Sequence, residues 1–372
     1  MGGRRNERAG LGGWIANREV LPNVSSGRGM RIEELGMKVG LWIEPEKGNK
    51  DSDLYRKHPD WILQTPGRRV SHGRYQYVLD FSRKEIVDYI YGMIAKLLSE
   101  SSISYIKWDM NRSLTECYSI AYPADQQGEI FHRYILGVYD LYERLTSAFP
   151  EVLFESCASG GGRFDPGMLY YAPQGWVSDD SDAVERLKIQ YGTSMCYPLS
   201  SMGSHVSVIP NHQVFRNTPL HTRANVAYFG TFGYELDLNK LSDAEIEEVK
   251  AQIRFMKEYR ELLQFGTFYR LKSPFNGNET VWMVVSEDKS KALVGYYRVL
   301  NGVNLPYSCV KLQGLDPDKL YENELANTEH YGDELMNLGL ITTDVSAGEV
   351  PQGAEPCTDF ESRIYLLKEK QS

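Results

Sequence analysis

From residue 37 to about residue 265 the chain alternates short apolar runs with longer amphipathic ones, and this restricts its fold more than any other feature. Residues 37–44, 77–80, 104–109 and 152–156 are short, rich in β-branched and aromatic side chains, and read as strands. Residues 175–179, 196–199 and 227–230 read as further strands. Between them, residues 83–99 place Ile86, Ile90, Met93, Ile94 and Leu97 at helical spacing. Residues 132–149 and 242–263 predict two more long helices, the second with a Glu- and Lys-rich outer face. Strands joined by helices are parallel, because a parallel pair needs a crossover connection. So many units predict an α/β fold of the (β/α)8 TIM-barrel type rather than an open sheet. No GxGxxG or GxxxxGK[ST] turn opens a helix, as a nucleotide-binding open sheet would show.

Beyond Phe265 the pattern changes. Short runs at 267–271, 281–285, 292–297, 308–312 and 363–367 are divided by turn formers such as Asn276-Gly277 and Asn301-Gly302. They predict a C-terminal antiparallel β-sandwich. The expected domains are therefore a catalytic barrel over residues 1–265 and the sandwich over residues 266–372.

Composition excludes several function classes. Net charge is −9 and no dense Lys/Arg stripe exists, so no nucleic-acid partner is expected. No apolar run reaches the roughly 20 residues that cross a bilayer, and residues 1–13 lack a signal-peptide core. No membrane association is expected. The five cysteines (Cys117, Cys157, Cys196, Cys309 and Cys357) are odd in number and contain no CxxC pair. This argues against a disulfide framework or a structural zinc site and predicts a cytoplasmic protein. His205 and His212 lack HxH or HExxH spacing, so loop hydrogen bonding is expected of them, with no metal and no cofactor.

Barrel chemistry sits at the C-terminal ends of the strands. The polar residues fall there: Glu44, Glu46, Asp80, Lys107, Asp109, Glu155, Asp179, Asp180 and His205. Two stretches stand out, Lys107-Trp-Asp-Met-Asn-Arg112 and Glu155-Ser-Cys157 through Gly160-Gly-Gly162 to Trp176-Val-Ser-Asp-Asp-Ser-Asp182. Two carboxyls about 5–5.5 Å apart, one nucleophilic and one acid/base, are what a retaining glycosidase needs. Lys107, two residues from Asp109 on one strand face, is a cation that would keep that carboxylate ionised. Asp180 and Asp182 are like-charged neighbours that would help Asp179 hold a proton, or they would bond the loop and cap the helix expected near Ala183. Residue types alone leave alternatives open. Asp109 could cap a loop, Lys107 could form a Schiff base, and Cys157 could be a thiol nucleophile or line a pocket. Gly160-Gly-Gly162 could cradle a phosphate or admit close backbone approach to a ligand.

Longer segments narrow the choice. Gly40-Leu-Trp-Ile-Glu-Pro-Glu46, Asp53-Leu-Tyr-Arg-Lys-His-Pro-Asp-Trp61, the two stretches above, Met202-Gly-Ser-His-Val206 and Pro210-Asn-His-Gln213 resemble glycoside hydrolase family 36. The likeness runs from about Trp14 to Arg270 and is to the bacterial α-galactosidases of the melibiase and raffinose type. It implies that Asp109 is the nucleophile and Asp179 the acid/base of a double displacement releasing terminal α-linked galactose. It implies also that Arg74 and Lys107 donate to sugar hydroxyls, that Asn111, Cys157 and Gly160 line the pocket, and that Trp42 is its aromatic wall. An α-galactoside oligosaccharide would be the partner, and the protein a homo-oligomer. Within the class, α-N-acetylgalactosaminidase stays open.

The chain departs from the family in two places. The family's barrel begins with a strand ending in a Gly-Asp-Asp-Gly-Trp type motif, after a large β-sandwich domain. Residues 1–5 align just downstream of that motif, so the first barrel strand is expected to be missing. After Glu46, Lys47-Gly-Asn-Lys-Asp51 stands where a more apolar loop start is usual. A truncated, inactive or merely sugar-binding remnant is the competing expectation.

Overall fold

A computed structural model describes residues 10–12, 32–303, 308–342 and 359–370. The expected loss of the first barrel strand, and Cys357, concern positions outside the described residues. The chain divides into two compact units, Met1–Trp176 and Val177–Ser372.

The first unit holds β1 (Val39–Ile43), β2 (Lys47–Asn49), β3 (Gln76–Val78), β4 (Ile103–Asp109), β5 (Leu153–Cys157) and β6 (Gln174–Gly175). β1, β4, β5 and β6 form one parallel sheet in the order β1-β4-β5-β6. The helices Lys84–Ser99 and Ile130–Ala148 supply crossovers, as the periodicity predicts. Ile86, Val87, Ile90, Ile94 and Leu98 of the first are buried, as are Tyr134, Val138, Leu141, Tyr142 and Leu145 of the second. Each such side chain removed from water stabilises the fold by about 1.5–3 kcal/mol. Gly137 lets the second helix come close, since a Cβ there would stand 1.9 Å from the Phe81 carbonyl oxygen.

One expected barrel strand is something else. Residues 77–80 contribute only the end of β3, which pairs antiparallel with β2 in the register Lys47↔Val78. Beyond Val78, Leu79 makes an isolated antiparallel bridge with Ile62, with Leu79 N donating to Glu46 O at 2.9 Å and Asp80 N to Trp61 O at 2.7 Å. The buried Asp80 carboxylate accepts from the hydroxyls of Ser119 and Ser82. The β2 pairing and the Ile62 bridge give residues 77–79 antiparallel neighbours outside the parallel sheet.

The second unit begins with the helix Ala183–Thr193, β7 (Gly203–Ser207), the helix Leu220–Ala227 and β8 (Thr231–Glu235), with β7 and β8 parallel. The expected strand boundaries shift here. Of residues 175–179 only Gly175 is in a strand, and residues 196–199 form none. Residues 227–230 close a helix instead, because Tyr228 N still donates to Ala224 O at 2.9 Å. β7 carries only Gly, Ser, His and Val, so it lacks the apolar run that marks a strand. The helix Asp243–Phe265 starts with a capping box: Ser242 N donates to Glu245 Oε2 at 2.8 Å and Glu245 N returns to Ser242 Oγ at 3.3 Å.

Then follow β9 (Thr267–Lys272), β10 (Glu279–Val285), β11 (Lys291–Arg298), β12 (Cys309–Val310), β13 (Leu320–Asn323), β14 (Thr328–Tyr331), β15 (Leu340–Ile341) and β16 (Glu361–Glu369). Six of them make one antiparallel sheet, ordered β14-β13-β16-β11-β10-β9, and β12 pairs with β15. Strand alternation divides this sheet between two cores. Trp282, Val284, Leu293 and Tyr297 join one, while Val281, Met283, Val285, Val294 and Tyr296 join the other.

Candidate active site

Asp109 ends β4 and is only 6% exposed. Parallel register sets its neighbours: Trp42 on β1 lies opposite Lys107, and Cys157 on β5 lies opposite Asp109. Trp42 Nε1 donates to Asp109 Oδ2 at 3.0 Å, and Asn111 Nδ2 donates to the same oxygen at 2.6 Å. Ser159 Oγ donates to Asn111 Oδ1 at 3.2 Å. Three of the sequence-predicted site residues, Trp42, Asn111 and Cys157, thus converge on the carboxylate of a fourth, Asp109.

Three further carboxylates are buried around it, each with partners. Glu46 takes both Arg163 terminal nitrogens at 2.8 Å, Trp108 Nε1 at 2.7 Å and Tyr134 OH at 2.6 Å. Burial pushes the Glu46 carboxyl up, but the Arg163 charge and these hydrogen bonds outweigh it and hold the group below its ordinary range. Glu155 accepts from Tyr105 OH and, at 2.6 Å, from Gln174 Nε2, and pairs with Lys107 Nζ at 2.9 Å. Lys107 also stands 4.5 Å over the Trp176 ring. Lys107, expected as the partner of Asp109, thus has its close ion pair with Glu155. Glu44 pairs with Lys47, accepts from Asn111 Nδ2 at 3.0 Å, and is fully buried with it.

Cys157 is no thiolate. Burial, then the Asp109 charge, push its thiol far above the usual range. That removes the thiol-nucleophile reading and leaves a small side chain packed beside Asp109. Gly160 has φ +77° and follows Ser159 at φ +50°, in a tight turn where Ala158 N donates to Gly160 O at 2.9 Å. Arg74 is exposed at φ +52°, and its charge bears on Lys47.

Asp179 lies in the second unit and is exposed. Its backbone carbonyl accepts from Gln213 Nε2 at 3.1 Å. Asp180 Oδ1 accepts from Asp182 N at 3.0 Å, and Asp182 caps the helix Ala183–Thr193 through Val184 N and Glu185 N at 3.1 and 3.0 Å. The two competing aspartates thus bond the loop and cap the helix. Asp182 also pairs with Arg216, and burial still raises its carboxyl. Ser181 O accepts from Ser207 Oγ at 2.9 Å, and Asn211 Nδ2 donates to Ser181 Oγ at 3.3 Å. His205 Nδ1 stands 3.5 Å from Glu235, and His212 is exposed. Among the described residues no group of three or more His, Cys, Asp or Glu is arranged to hold a metal ion. Nor is any helix among them long and apolar enough to cross a membrane.

Sequence reasoning missed Arg163 and Lys47 as charges of this site and Gln213 as a tether. Arg163 stood in the quoted glycine-rich stretch, but nothing in spacing shows that a guanidinium will pair with a carboxylate 117 positions away.

The Melibiase family model matches residues 1–266, and that of the glycosyl hydrolase family 36 C-terminal domain matches residues 279–367. The chain belongs to the melibiase, glycosyl hydrolase family 36, group. It is 55% identical over 371 residues to the α-galactosidase AgaA of Geobacillus stearothermophilus, covering all of this chain and 49% of that protein. With Mel36A of Lactobacillus acidophilus it shares 48% identity over 368 residues, 99% of this chain and 49% of the relative. An AgaA variant in complex with raffinose superposes with a TM-score of 0.93 at 51% identity, over 99% of this chain and 49% of that one. The chain spans about half the length of the curated relatives it matches. Its fold is the α/β TIM-barrel type followed by a C-terminal antiparallel sheet domain.

Proposed function

We propose that this chain carries the catalytic part of a retaining α-galactosidase acting on α-galactoside oligosaccharides. Asp109 attacks the anomeric carbon, and the bond to the leaving oxygen breaks. Its electron pair stays on that oxygen, which takes a proton from Asp179. Water, deprotonated by Asp179, then attacks the same carbon and releases Asp109. Trp42 and Asn111 orient the attacking carboxylate, and Lys107, steadied by Glu155, donates to a sugar hydroxyl. Arg74 adds a further donor, while Cys157 and Gly160 leave room for the ring.

The observation that carries this reading is the buried Asp109 carboxylate at a strand end, one oxygen held by Trp42 at 3.0 Å and Asn111 at 2.6 Å. Relatives studied in complex with raffinose and stachyose support the substrate class. The limits of the two family models support a barrel over residues 1–265 and a C-terminal domain over residues 266–372. Unpaired thiols at Cys117, Cys157, Cys196 and Cys309 support a cytoplasmic setting. In this reading the protein is also a homo-oligomer, as the family resemblance implies. The protein works in this reading without a cofactor.

Proton NMR of p-nitrophenyl α-galactoside hydrolysis tests it. α-Galactose is expected first, before mutarotation, and Asp109→Ala should lower the rate by about 10⁴-fold or more. β-Galactose as first product would sink the retaining reading. Rates equal in wild type and Asp109→Ala would favour a sugar-binding remnant.

A further inference from the structure

Glu44 and Lys47 are among the buried charges that the mechanism above leaves unused. Each is 0% exposed, and they pair with one another in the segment that leaves β1. Glu44 Oε1 accepts from Asn111 Nδ2 at 3.0 Å, and that same nitrogen donates to Asp109 Oδ2 at 2.6 Å. A primary amide nitrogen has two protons to donate, so Asn111 bridges the two carboxylates. Carboxylates held this close oppose each other's ionisation, and an uncompensated pair shares one proton. Such a proton would block the attack on the anomeric carbon.

Among the described residues, the other charges near Asp109 do not resolve this. Lys107 on β4 is paired with Glu155 of β5 at 2.9 Å, so the two largely cancel. The Cys157 thiol is uncharged, and Arg74 is exposed. Among the described residues, Lys47 is the cation paired with Glu44.

We propose that Lys47 keeps Asp109 anionic by neutralising Glu44 across the Asn111 bridge. The idea rests on the reading of Asp109 as nucleophile. Lys47 is then a positioning residue that acts through Glu44 and touches no substrate. Burial holds the Lys47 ammonium below its ordinary range, and the charges of Glu44 and then Asp109 oppose that drop. A buried ion pair is weak evidence for stability, since well-packed apolar residues replace one at little cost. Stability alone therefore gives little reason for a lysine at position 47.

The test is the pH dependence of kcat/KM on p-nitrophenyl α-galactoside. In Lys47→Met the acid limb should move about one unit to higher pH, a roughly tenfold loss on the acidic side with little change on the plateau. Lys47→Arg should keep the wild-type limb. Glu44→Gln, with the lysine retained, should move the limb to lower pH, and the double variant Glu44→Gln/Lys47→Met should bring it back toward wild type. A fall that is even across pH in Lys47→Met, or an unmoved limb in Glu44→Gln, would overturn the proposal. Should Lys47→Met fail to fold by circular dichroism, Glu44→Gln still decides it. Carbon-13 NMR titration of the Asp109 carboxyl, assigned with Asp109→Asn, gives the same answer without turnover. Wild-type rates in Asp109→Ala would instead defeat the nucleophile assignment, whatever the titration shows.

Discussion

Asp109 and Asp179 stand in surroundings built on different principles. Around Asp109 lie three buried carboxylates, Glu44, Glu46 and Glu155, each matched by its own cation: Lys47, Arg163 and Lys107. Asp179 is exposed, and its segment is held mainly by single hydrogen bonds from Gln213, Ser207 and Asn211 and by the Asp182 cap. The contrast fits the proposed roles. A nucleophile must be ionised when it attacks, which nearby fixed charges favour. An acid/base group must gain and lose a proton in each turnover, which a buried counter-charge would hinder.

The comparison can be broken most sharply by chemistry. Asp179→Asn should slow raffinose hydrolysis by about 10²–10⁴-fold, the usual worth of general acid–base catalysis. It should slow an aryl galactoside with a good leaving group much less in the first step, as read by pre-steady-state kinetics. Equal losses on both substrates would remove Asp179 from the acid role.

Stability gives the next largest effects. Arg163→Leu leaves the fully buried Glu46 without its bidentate partner, and breaking a buried pair costs about 3–5 kcal/mol. Asp182→Ala removes a helix cap, worth about 0.5–2 kcal/mol. Urea denaturation should therefore rank Arg163→Leu well below Asp182→Ala; the reverse order would show that the second unit depends on charge as much as the first.

Acid should separate the regions in sign. Glu46 is held below its ordinary range, so its contribution is complete above that range and is lost as pH falls through the folded value. Asp182 is raised by burial, so its titration favours the folded state as pH falls. In urea midpoints between pH 6 and 3, Glu46→Gln should flatten the acid loss and Asp182→Asn should steepen it.

The smallest effect lies at Phe215, a bulky exposed residue held at φ +56°. The left-handed region costs a non-glycine residue roughly 1–2 kcal/mol. Phe215→Gly should raise the unfolding free energy, and with it the urea midpoint, by up to that energy less the entropy that glycine adds to the unfolded chain. A lowered midpoint would mean that the side chain makes contacts that outweigh its strain.

Much of the scaffold was legible before any coordinates. Ile86, Ile90 and Ile94 announced their helix, residues 242–263 read as the last one, and the apolar run from Val281 to Val285 read as a strand. Prediction failed where side chains carry little apolar pattern. β7 is Gly-Ser-His-Val-Ser, whose strand geometry comes from pairing with β8; residues 77–80 do carry an apolar pattern, but their antiparallel partners lie outside the parallel sheet.

The sequence by itself determined the alternation of strands and helices, the change to antiparallel strands beyond Phe265, and the KWDMNR segment that ends β4 in Asp109. Only the tertiary structure decided which charges meet. Lys107 is two positions from Asp109 yet pairs with Glu155, while Asn111 joins Asp109 to Glu44, 67 positions from Asn111. Periodicity is local and survives in one dimension. Charge pairing depends on strand register and burial, which fix distances that no spacing along the chain contains.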